Sequence, residues 1–468
     1  MRLRNRGAAF FVGDKVDNWL AIILAAGKGT RMKSSTPKVL QTLAGREMVG
    51  LVSDTLNMSG FEGVLAVIPP DSPGIRRTLG SETAFVEQRE PLGTGHAVYQ
   101  AKHSLDGYEG NILVINGDAP LVTLGTLEKL KSAHEATQSH VTVLTSDIPY
   151  SSGLGHVMRD KYGKVASIVE EKELNSRELV TPYQANVGVY CFKLPWLWSI
   201  LDSISWSSTG EIYLTDVIGL AYSSGCDIEE VELDDPAEGL GVNDGVDLAM
   251  AREAIRYRVN RKWLLEGVTI IEPAYIDISV DIQPDTTIYP NTFVSGNSKI
   301  GRGCEIGPGS IVKDSCVADG CRIIQSVLDD AILEENVEIG PFSHLRAGSH
   351  IERDVHIGNF SEVKKSRLGR GTMMGHFSYI GDAWVGAEVN IGAGTVTCNF
   401  DGDNKNETII EDGAFIGSDS MLVAPIRVGA GASTGAGSVV NKDVPAGAQV
   451  VGVPARPVKN RKGQKKEK

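Results

Sequence analysis

Apolar positions along the chain follow two different periods. From Leu20 to about Gly245, short apolar runs at Leu20–Leu24, Val64–Ile68, Asn111–Ile115, Val141–Thr145 and Val187–Phe192 alternate with helix-like stretches such as the amphipathic Leu124–Thr137. Strands alternating with helices predict an α/β layer on a mostly parallel sheet. Ligands of such sheets bind outside the carboxyl ends of the strands, so the chemistry is expected just after each apolar run. Between Val246 and about Gly267 the pattern changes. Leu248, Ala251, Ile255, Val259 and Trp263 recur every three or four residues, with Arg252, Arg256, Arg258 and Arg261 between them. One apolar stripe with a charged back predicts a helix joining two domains.

Beyond that helix the period is six. Val294, Ile300, Ile306 and Val312 are six apart, as are Ile339, Leu345, Ile351, Ile357 and Val363, then Met374 and Ile380, then Ile416, Leu422, Val428, Thr434 and Val440. A hexapeptide period predicts a parallel β-helix, with one aliphatic pointing inward from each flat face and three faces per coil. Helices and sandwiches do not produce it. Glycine after many of the aliphatics, as at Ile300-Gly301 and Ile357-Gly358, relaxes the backbone beside each corner. About 180 residues give roughly ten coils. Ile391 to Ile416 spans 25 residues, not a multiple of six, and contains the polar stretch Thr397–Lys405. One break is therefore expected there, as a loop leaving the prism.

The predicted organisation is an extension (1–18), an α/β domain (19–245), a linker helix (246–267), a β-helix domain (268–455) and a basic tail (456–468). Composition narrows the function. Of 468 residues 41% are hydrophobic, too many for a disordered chain, while the longest apolar run, Leu20–Ala26, is far short of a membrane helix. Lys and Arg number 46 against 59 Asp and Glu, a net charge of −13. A protein that coats phosphate backbones needs the opposite sign, so no nucleic-acid partner is expected, although a local basic pocket can still hold a small anion. Six cysteines without a CxxC pair suit a reducing cytosol, and Ala8–Val12 is too short for a signal-peptide core. A cytoplasmic protein without membrane insertion is expected.

The first strand runs directly into Leu24–Met32, LAAGKGTRM, followed by Pro37-Lys38. Gly27 and Gly29 let backbone N–H groups approach phosphate oxygens, the next helix is expected to offer its positive end, and Arg31 and Lys38 add fixed charge where a triphosphate would lie. It is neither a Walker A loop nor a GxGxxG turn. These residues resemble the sugar-nucleotide pyrophosphorylase motif. Together with the hexapeptide half, the chain from about Leu20 to Val453 resembles the bacterial family of bifunctional N-acetylglucosamine-1-phosphate uridyltransferases/glucosamine-1-phosphate acetyltransferases. The resemblance implies a Rossmann-like nucleotidyltransferase domain, a linker helix and a left-handed parallel β-helix.

It also implies site residues. Leu24, Ala25, Ala26, Gly27, Arg31 and Lys38 match positions around UTP, as do Asn116, Gly117 and Asp118 after the Asn111–Ile115 strand. An aspartate at that edge can reach a magnesium ion bridging phosphates, and Asn243 offers a second oxygen; by resemblance this pair is the metal site. Gln88, Gly93 and Thr94 match base-reading positions, and Gly155, Glu170 and Asn186 match those holding the sugar. His156 stands where the family carries Arg, and Ala185-Asn186-Val187-Gly188 replaces Ile-Asn-Thr-Gly. The implied chemistry is in-line attack by a sugar phosphate on the α-phosphorus of UTP, which needs charge neutralisation and alignment.

In the repeat half, Glu362-Val363-Lys364-Lys365 and Met374–Tyr379 stand out, because coils of a β-helix rarely need charged or aromatic corners. Acetyl transfer from a thioester to an amine requires proton removal, and histidine suits that work. By resemblance His376 is the general base and Glu362 orients it. Arg346, Lys364, Tyr379, Asn390 and Lys405 match positions that bind glucosamine phosphate, and Ala393, Asn399, Phe400, Ser418 and Ala436 match the acetyl-CoA side. Phe400 replaces a usual Tyr, and Val453 stands where some relatives have Arg. The implied product is UDP-N-acetylglucosamine, a cell-wall and lipopolysaccharide precursor, with UTP and acetyl-CoA as co-substrates, Mg²⁺ as cofactor, and a homotrimer whose acetyltransfer sites lie between subunits. Two alternatives stand beside it: a sugar-nucleotide pyrophosphorylase for another sugar or base with a regulatory β-helix, and a β-helix that only trimerises.

Overall fold

The computed structural model describes residues 19–148, 153–174, 183–207 and 210–458, so the N-terminal extension and the tail after residue 458 lie outside the described residues. The chain divides into two compact units between Ile255 and Arg256. That division falls within the helix Gly245–Leu265, which forms where the apolar stripe predicts it. Among the described residues no helix is long and apolar enough to cross a membrane.

The main sheet of the first unit has the order Ile228–Glu232, Val141–Ile148, Tyr183–Lys193, Asn111–Asn116, Trp19–Leu24, Gly63–Ile68 and Ala84–Glu87. Four of the six neighbouring pairs are parallel. The Tyr183–Lys193 strand is antiparallel to both neighbours and pairs with a small hairpin of His156–Arg159 and Val165–Val169. Side chains alternate along a strand, so Ala21 and Ile23 enter the core under Val49, Leu56 and Leu127, while Leu20 and Ile22 enter the opposite one with Val98, Leu197 and Val217. Each fully buried aliphatic contributes about 1.5–3 kcal/mol. A rigid double-sided core leaves the loops at the carboxyl edge to carry the chemistry.

The inverted strand matters at that edge. With Val189 paired to Ile115, its entry half, including Asn186, lies beyond the end of the Asn111–Asn116 strand. Its register against Val141–Ile148 slips between Asn186 and Tyr190. Gly188 sits in that bulge at φ 82°, where a Cβ would lie 2.4 Å from the Asn116 amide nitrogen. Only glycine combines that backbone with that approach.

The second unit is a three-faced parallel β-helix of the left-handed hexapeptide type. Its faces contain twelve, ten and nine strands among the described residues. Up to Met421–Val423 each strand pairs in parallel with the third strand after it, one coil on. The twelve-stranded face ends with Ser433–Thr434 on Gln449–Val451, which pairs antiparallel with Arg456–Pro457. All the hexapeptide positions predicted to point inward, from Val294 to Val440, are buried, most of them completely. The expected break between Ile391 and Ile416 is also present. Thr397 and Ile410 are consecutive inward positions thirteen residues apart, and the intervening loop emerges at the corner between the second and third faces.

The expectation of only one break is corrected. The steps from Val312 to Val317, Ile323 to Leu328, Leu328 to Leu333, Val363 to Leu368 and Ile380 to Val385 are five residues, yet every inward side chain stays buried. Each short corner is turned by one residue in the left-handed region: Asp314, Gln325, Asp330, Lys365 or Asp382, with φ between 42° and 51°. A single such residue turns the corner in one step fewer, so a deletion leaves the prism intact. Four of the five, and the long loop, fall at the second corner, between the second and third faces.

Candidate active sites

In the first unit the chain leaves the central strand at Leu24 and passes through buried Ala25 and Ala26, the Ala25 N–H bonding Val67 O at 2.8 Å. A Cβ on Gly27 would project into open space, whereas one on Gly29 (φ 58°) would meet Lys38 Cβ at 2.6 Å. The expected helix end is corrected. The loop enters only a three-residue 3₁₀ turn, Thr30–Met32, and the first α-helix starts at Met48. Left-handed Gly29 and Lys33, with Pro37 close behind, prevent a longer helix here. The positive charge at this loop comes instead from Arg31 and Lys38.

Those two cations meet the two expected metal ligands. Lys38 Nζ is ion-paired with the Asp118 carboxylate and lies 3.4 Å from Asn243 Oδ1, which also accepts a 2.9 Å bond from Arg31 Nη2. The loops carrying the oxygens are tied together by the Val242 N–H to Asp118 O bond of 3.0 Å, and Asp247 holds the Asn243 N–H at 2.8 Å. One carboxylate and one amide oxygen form a donor set that suits a hard cation retaining water and phosphate ligands. An ammonium shared between them is itself a stand-in for such a cation.

Around this group lies a cleft of about 590 Å³. It is lined by every residue expected at UTP or the sugar except Gly117. Gly117 lies beneath it, where a Cβ would come within 3.3 Å of Ala25 Cβ. On the base side, Gln88 Nε2 bonds Gly93 O (3.1 Å) and His96 Nδ1 (2.9 Å), and Thr94 Oγ1 accepts the Leu214 N–H at 2.9 Å. On the sugar side, Asn186 Nδ2 donates to the Tyr190 hydroxyl at 2.6 Å, and its N–H bonds Gly155 O at 2.8 Å. Burial pushes the Glu170 carboxyl above its ordinary range, against the opposing pull of a 3.0 Å bond from the Thr215 hydroxyl. His156 is buried and stacks face to face on Tyr183 at 3.6 Å.

Three further lining residues have no signal in the sequence pattern. Lys172 Nζ pairs with Glu211 at 2.7 Å and lies 4.7 Å above the Tyr213 ring. Glu211 and Tyr213 arrive on a loop remote in sequence, and only the fold brings them to Lys172.

In the second unit, strand register sorts the expected residues by corner. His344, Glu362, Tyr379 and Val396 form one ladder across the second face. At its first corner, Met373 pairs with Asn390 and Ile391 with Ile416, so His376, Ala393 and Ser418 stack in one column, and the Gly437 N–H to Ser418 O bond carries it on to Ala436. His376 is exposed there, and among the described residues its ring has no hydrogen-bond partner. Glu362 accepts a 2.8 Å bond from Arg346, which raises the guanidinium pKa, and no bond joins it to His376 among the described residues.

Lys364 lies beside Gly381 at the opposite corner, with the loop that leaves Thr397. There Asn399 donates to Asp382, and Phe400 bridges Lys405, whose Nζ lies 4.3 Å above the Phe400 ring. N–H groups of Asn404 and Asp403 and the Asn406 amide hold the Asp401 carboxyl down at about 2, which fixes the turn. The residues expected at acetyl-CoA are thus split within one chain, Ala393, Ser418 and Ala436 at one corner and Asn399 and Phe400 at the other.

Residues 21–176 match the family model of the MobA-like NTP transferase domain, and residues 330–365 match that of the bacterial transferase hexapeptide (six repeats). Fold, cleft and these matches define the class: a nucleotidyltransferase followed by a hexapeptide transferase. The chain is 42% identical to the "Bifunctional protein GlmU" of Shouchella clausii (strain KSM-K16), over 91% of this chain and 94% of that protein. It is 43% identical to that of Heliobacterium modesticaldum, over 92% and 94%, and 41% identical to that of Pelobacter propionicus, over 96% and 98%. The chain belongs to the GlmU family of bifunctional enzymes, with a uridylyltransferase activity and an acetyltransferase activity.

Proposed function

We propose that the two sites act in sequence with the residue roles assigned here. In the second unit the amine of glucosamine 1-phosphate attacks the thioester carbonyl of acetyl-CoA, the C–S bond breaks, and coenzyme A leaves as the thiol. His376 takes the proton from the attacking nitrogen, Arg346, Lys364, Tyr379, Asn390 and Lys405 hold the sugar phosphate, and Glu362 positions Arg346 through their ion pair. In the first unit the phosphate of N-acetylglucosamine 1-phosphate attacks the α-phosphorus of UTP, and the bond to the β-phosphate breaks. UDP-N-acetylglucosamine and pyrophosphate are the products.

Arg31 and Lys38 neutralise the triphosphate, Gln88, Gly93 and Thr94 read the base, and Gly155, Glu170 and Asn186 align the sugar. The family's metal cofactor, which we assign as Mg²⁺ on Asp118 and Asn243, supplies Lewis-acid charge at the phosphates when bound. Alignment and charge neutralisation are what phosphoryl-group chemistry asks of a protein.

The carrying observation is the meeting of Arg31, Lys38, Asp118 and Asn243 at the mouth of a cleft that also holds Glu170 and Asn186. We further propose a homotrimer, cytoplasmic in location, in which one subunit's first corner meets another's second. Support comes from the split acetyl-CoA residues and from the exposed aromatic column at the first corner, where Phe342 and Phe360 stack at 5.3 Å and Phe377 continues the line. A combined assay tests the roles: glucosamine 1-phosphate, acetyl-CoA, UTP and Mg²⁺, with thiol and pyrophosphate followed separately. Asp118→Ala should lose pyrophosphate release and keep thiol release. Loss of both, or of neither, would overturn the assignment.

A further inference from the structure

The cleft of the first unit carries its own cation where the metal is expected. Lys38 Nζ is paired with Asp118 and lies 3.4 Å from Asn243 Oδ1, while Arg31 holds the same amide oxygen at 2.9 Å. The side chains of Lys38 and Asp118 are only 13% and 18% exposed, so salt and water screen this pair less than a surface pair. A divalent ion held by both oxygens would need the space that the ammonium now takes. No ammonium can remain at hydrogen-bond distance from the same oxygens without direct charge repulsion. The Lys38 stem is fixed under the glycine loop by Gly29, but the ammonium ends a flexible four-carbon chain and can leave once another anion is offered. The triphosphate is that anion.

We infer that Lys38 is a resident counter-ion that occupies the metal seat of the cleft until the nucleotide draws it off. This rests on the assignment of Asp118 and Asn243 as the metal ligands. Metal alone must evict Lys38 from its ion pair; metal arriving with a nucleotide does not. The two ligands therefore bind with positive coupling, each raising the other's affinity by the same factor. The device keeps two mutually repelling cations from having to share the site before the triphosphate is there to separate them.

The test is Mn²⁺ binding to the full chain without nucleotide, read as free Mn²⁺ by electron paramagnetic resonance, so that no turnover is involved. Lys38→Met should bind Mn²⁺ roughly tenfold more tightly than the native protein, within the range usual for coupled sites. Lys38→Gln should behave alike, which guards against a folding defect in either variant. Equal or weaker binding by both variants, with binding abolished in Asp118→Asn, would overturn the counter-ion role while leaving the metal ligands in place. Native-like Mn²⁺ binding by Asp118→Asn would overturn the ligand assignment itself.

Discussion

In the α/β unit the charged groups of the site answer one another within a single chain: Lys38 with Asp118, Arg31 with Asn243, Lys172 with Glu211. In the prism the corresponding groups lie on an outer surface. His376 is exposed, and the residues expected at the thioester substrate fall on two corners of one face. The difference stems from architecture. A doubly wound sheet gathers loops from many strands at one edge, so a cleft closes on itself. A solenoid presents flat faces, and its corners diverge. A cleft built by the first architecture needs only its substrates, whereas a site on the second needs another surface to face it.

The sharpest way to break that contrast is to remove the proposed base and then restore it from another chain. His376→Ala should lower thiol release by about 10²–10⁴-fold, the usual worth of a general base, with pyrophosphate release from N-acetylglucosamine 1-phosphate unchanged. Lys405→Ala, at the opposite corner, should also impair acetyl transfer. Co-refolding the two variants in equal amounts should then return about a quarter of native thiol release, because random mixing pairs an intact first corner with an intact second corner in that share of sites. No recovery would mean that each chain builds its acetyltransfer site alone.

The self-contained character of the first cleft is probed by Gly188→Ala. The added Cβ would lie 2.4 Å from the Asn116 amide and require a backbone at φ 82°. Shifts of about 1 Å in aligned groups can cost ~10²-fold, so uridylyl transfer should fall by about that factor while acetyl transfer persists. An unchanged rate would show that the bulge is not needed to set Asn186.

How far such features could be read from the sequence differs between the halves. The inward aliphatics that keep the six-residue phase, such as Val294–Val312 and Ile339–Val363, are legible, because a period of six leaves no other fold. Val317, Leu333, Leu368 and Val385, which follow five-residue steps, are seen only in the structure. The five-residue corners are not, since Asp314 or Lys365 looks like any polar corner residue until its left-handed φ is known. The glycine loop and its two cations are legible from Leu24–Lys38. The short 3₁₀ turn that takes the place of a helix end is not, because it depends on the left-handed backbone of both Gly29 and Lys33. Glu211 and Tyr213 are illegible for a different reason: nothing local ties them to Lys172. Sequence carries the periodic and the contiguous, and tertiary structure adds the remote partner.

Stability offers a smaller contrast, confined to the first unit. Burial, reinforced by the neighbouring Lys193 and His140, lowers His134 to about 4. The unfolded chain therefore takes up this proton near 6.5, before the folded one does. Stability is complete above that value and is lost as pH falls through the window from 6.5 towards 4, by at most about 3 kcal/mol. Trp19 packs edge-on to the His134 ring at 5.5 Å and so reports the transition. The urea midpoint read by tryptophan fluorescence in a variant that keeps Trp19 as its one tryptophan should be lower at pH 5 than at pH 7, and His134→Gln should flatten that slope.

The smallest effect concerns the loop of the second unit. Lys405 lies 4.3 Å above the Phe400 ring, and both are anchored by a turn that Asp401 holds. An exposed cation–π contact is worth about 0.5–1 kcal/mol. If the ring positions the ammonium for the sugar phosphate, Phe400→Leu should raise the KM for glucosamine 1-phosphate about two- to fivefold with little change in kcat, and Phe400→Tyr should restore it. A change confined to the KM for acetyl-CoA would assign the ring to the other substrate alone. The direction matters more than the size, because it decides whether this loop, unlike the first cleft, couples its two substrates through one side-chain pair rather than through a network of ion pairs.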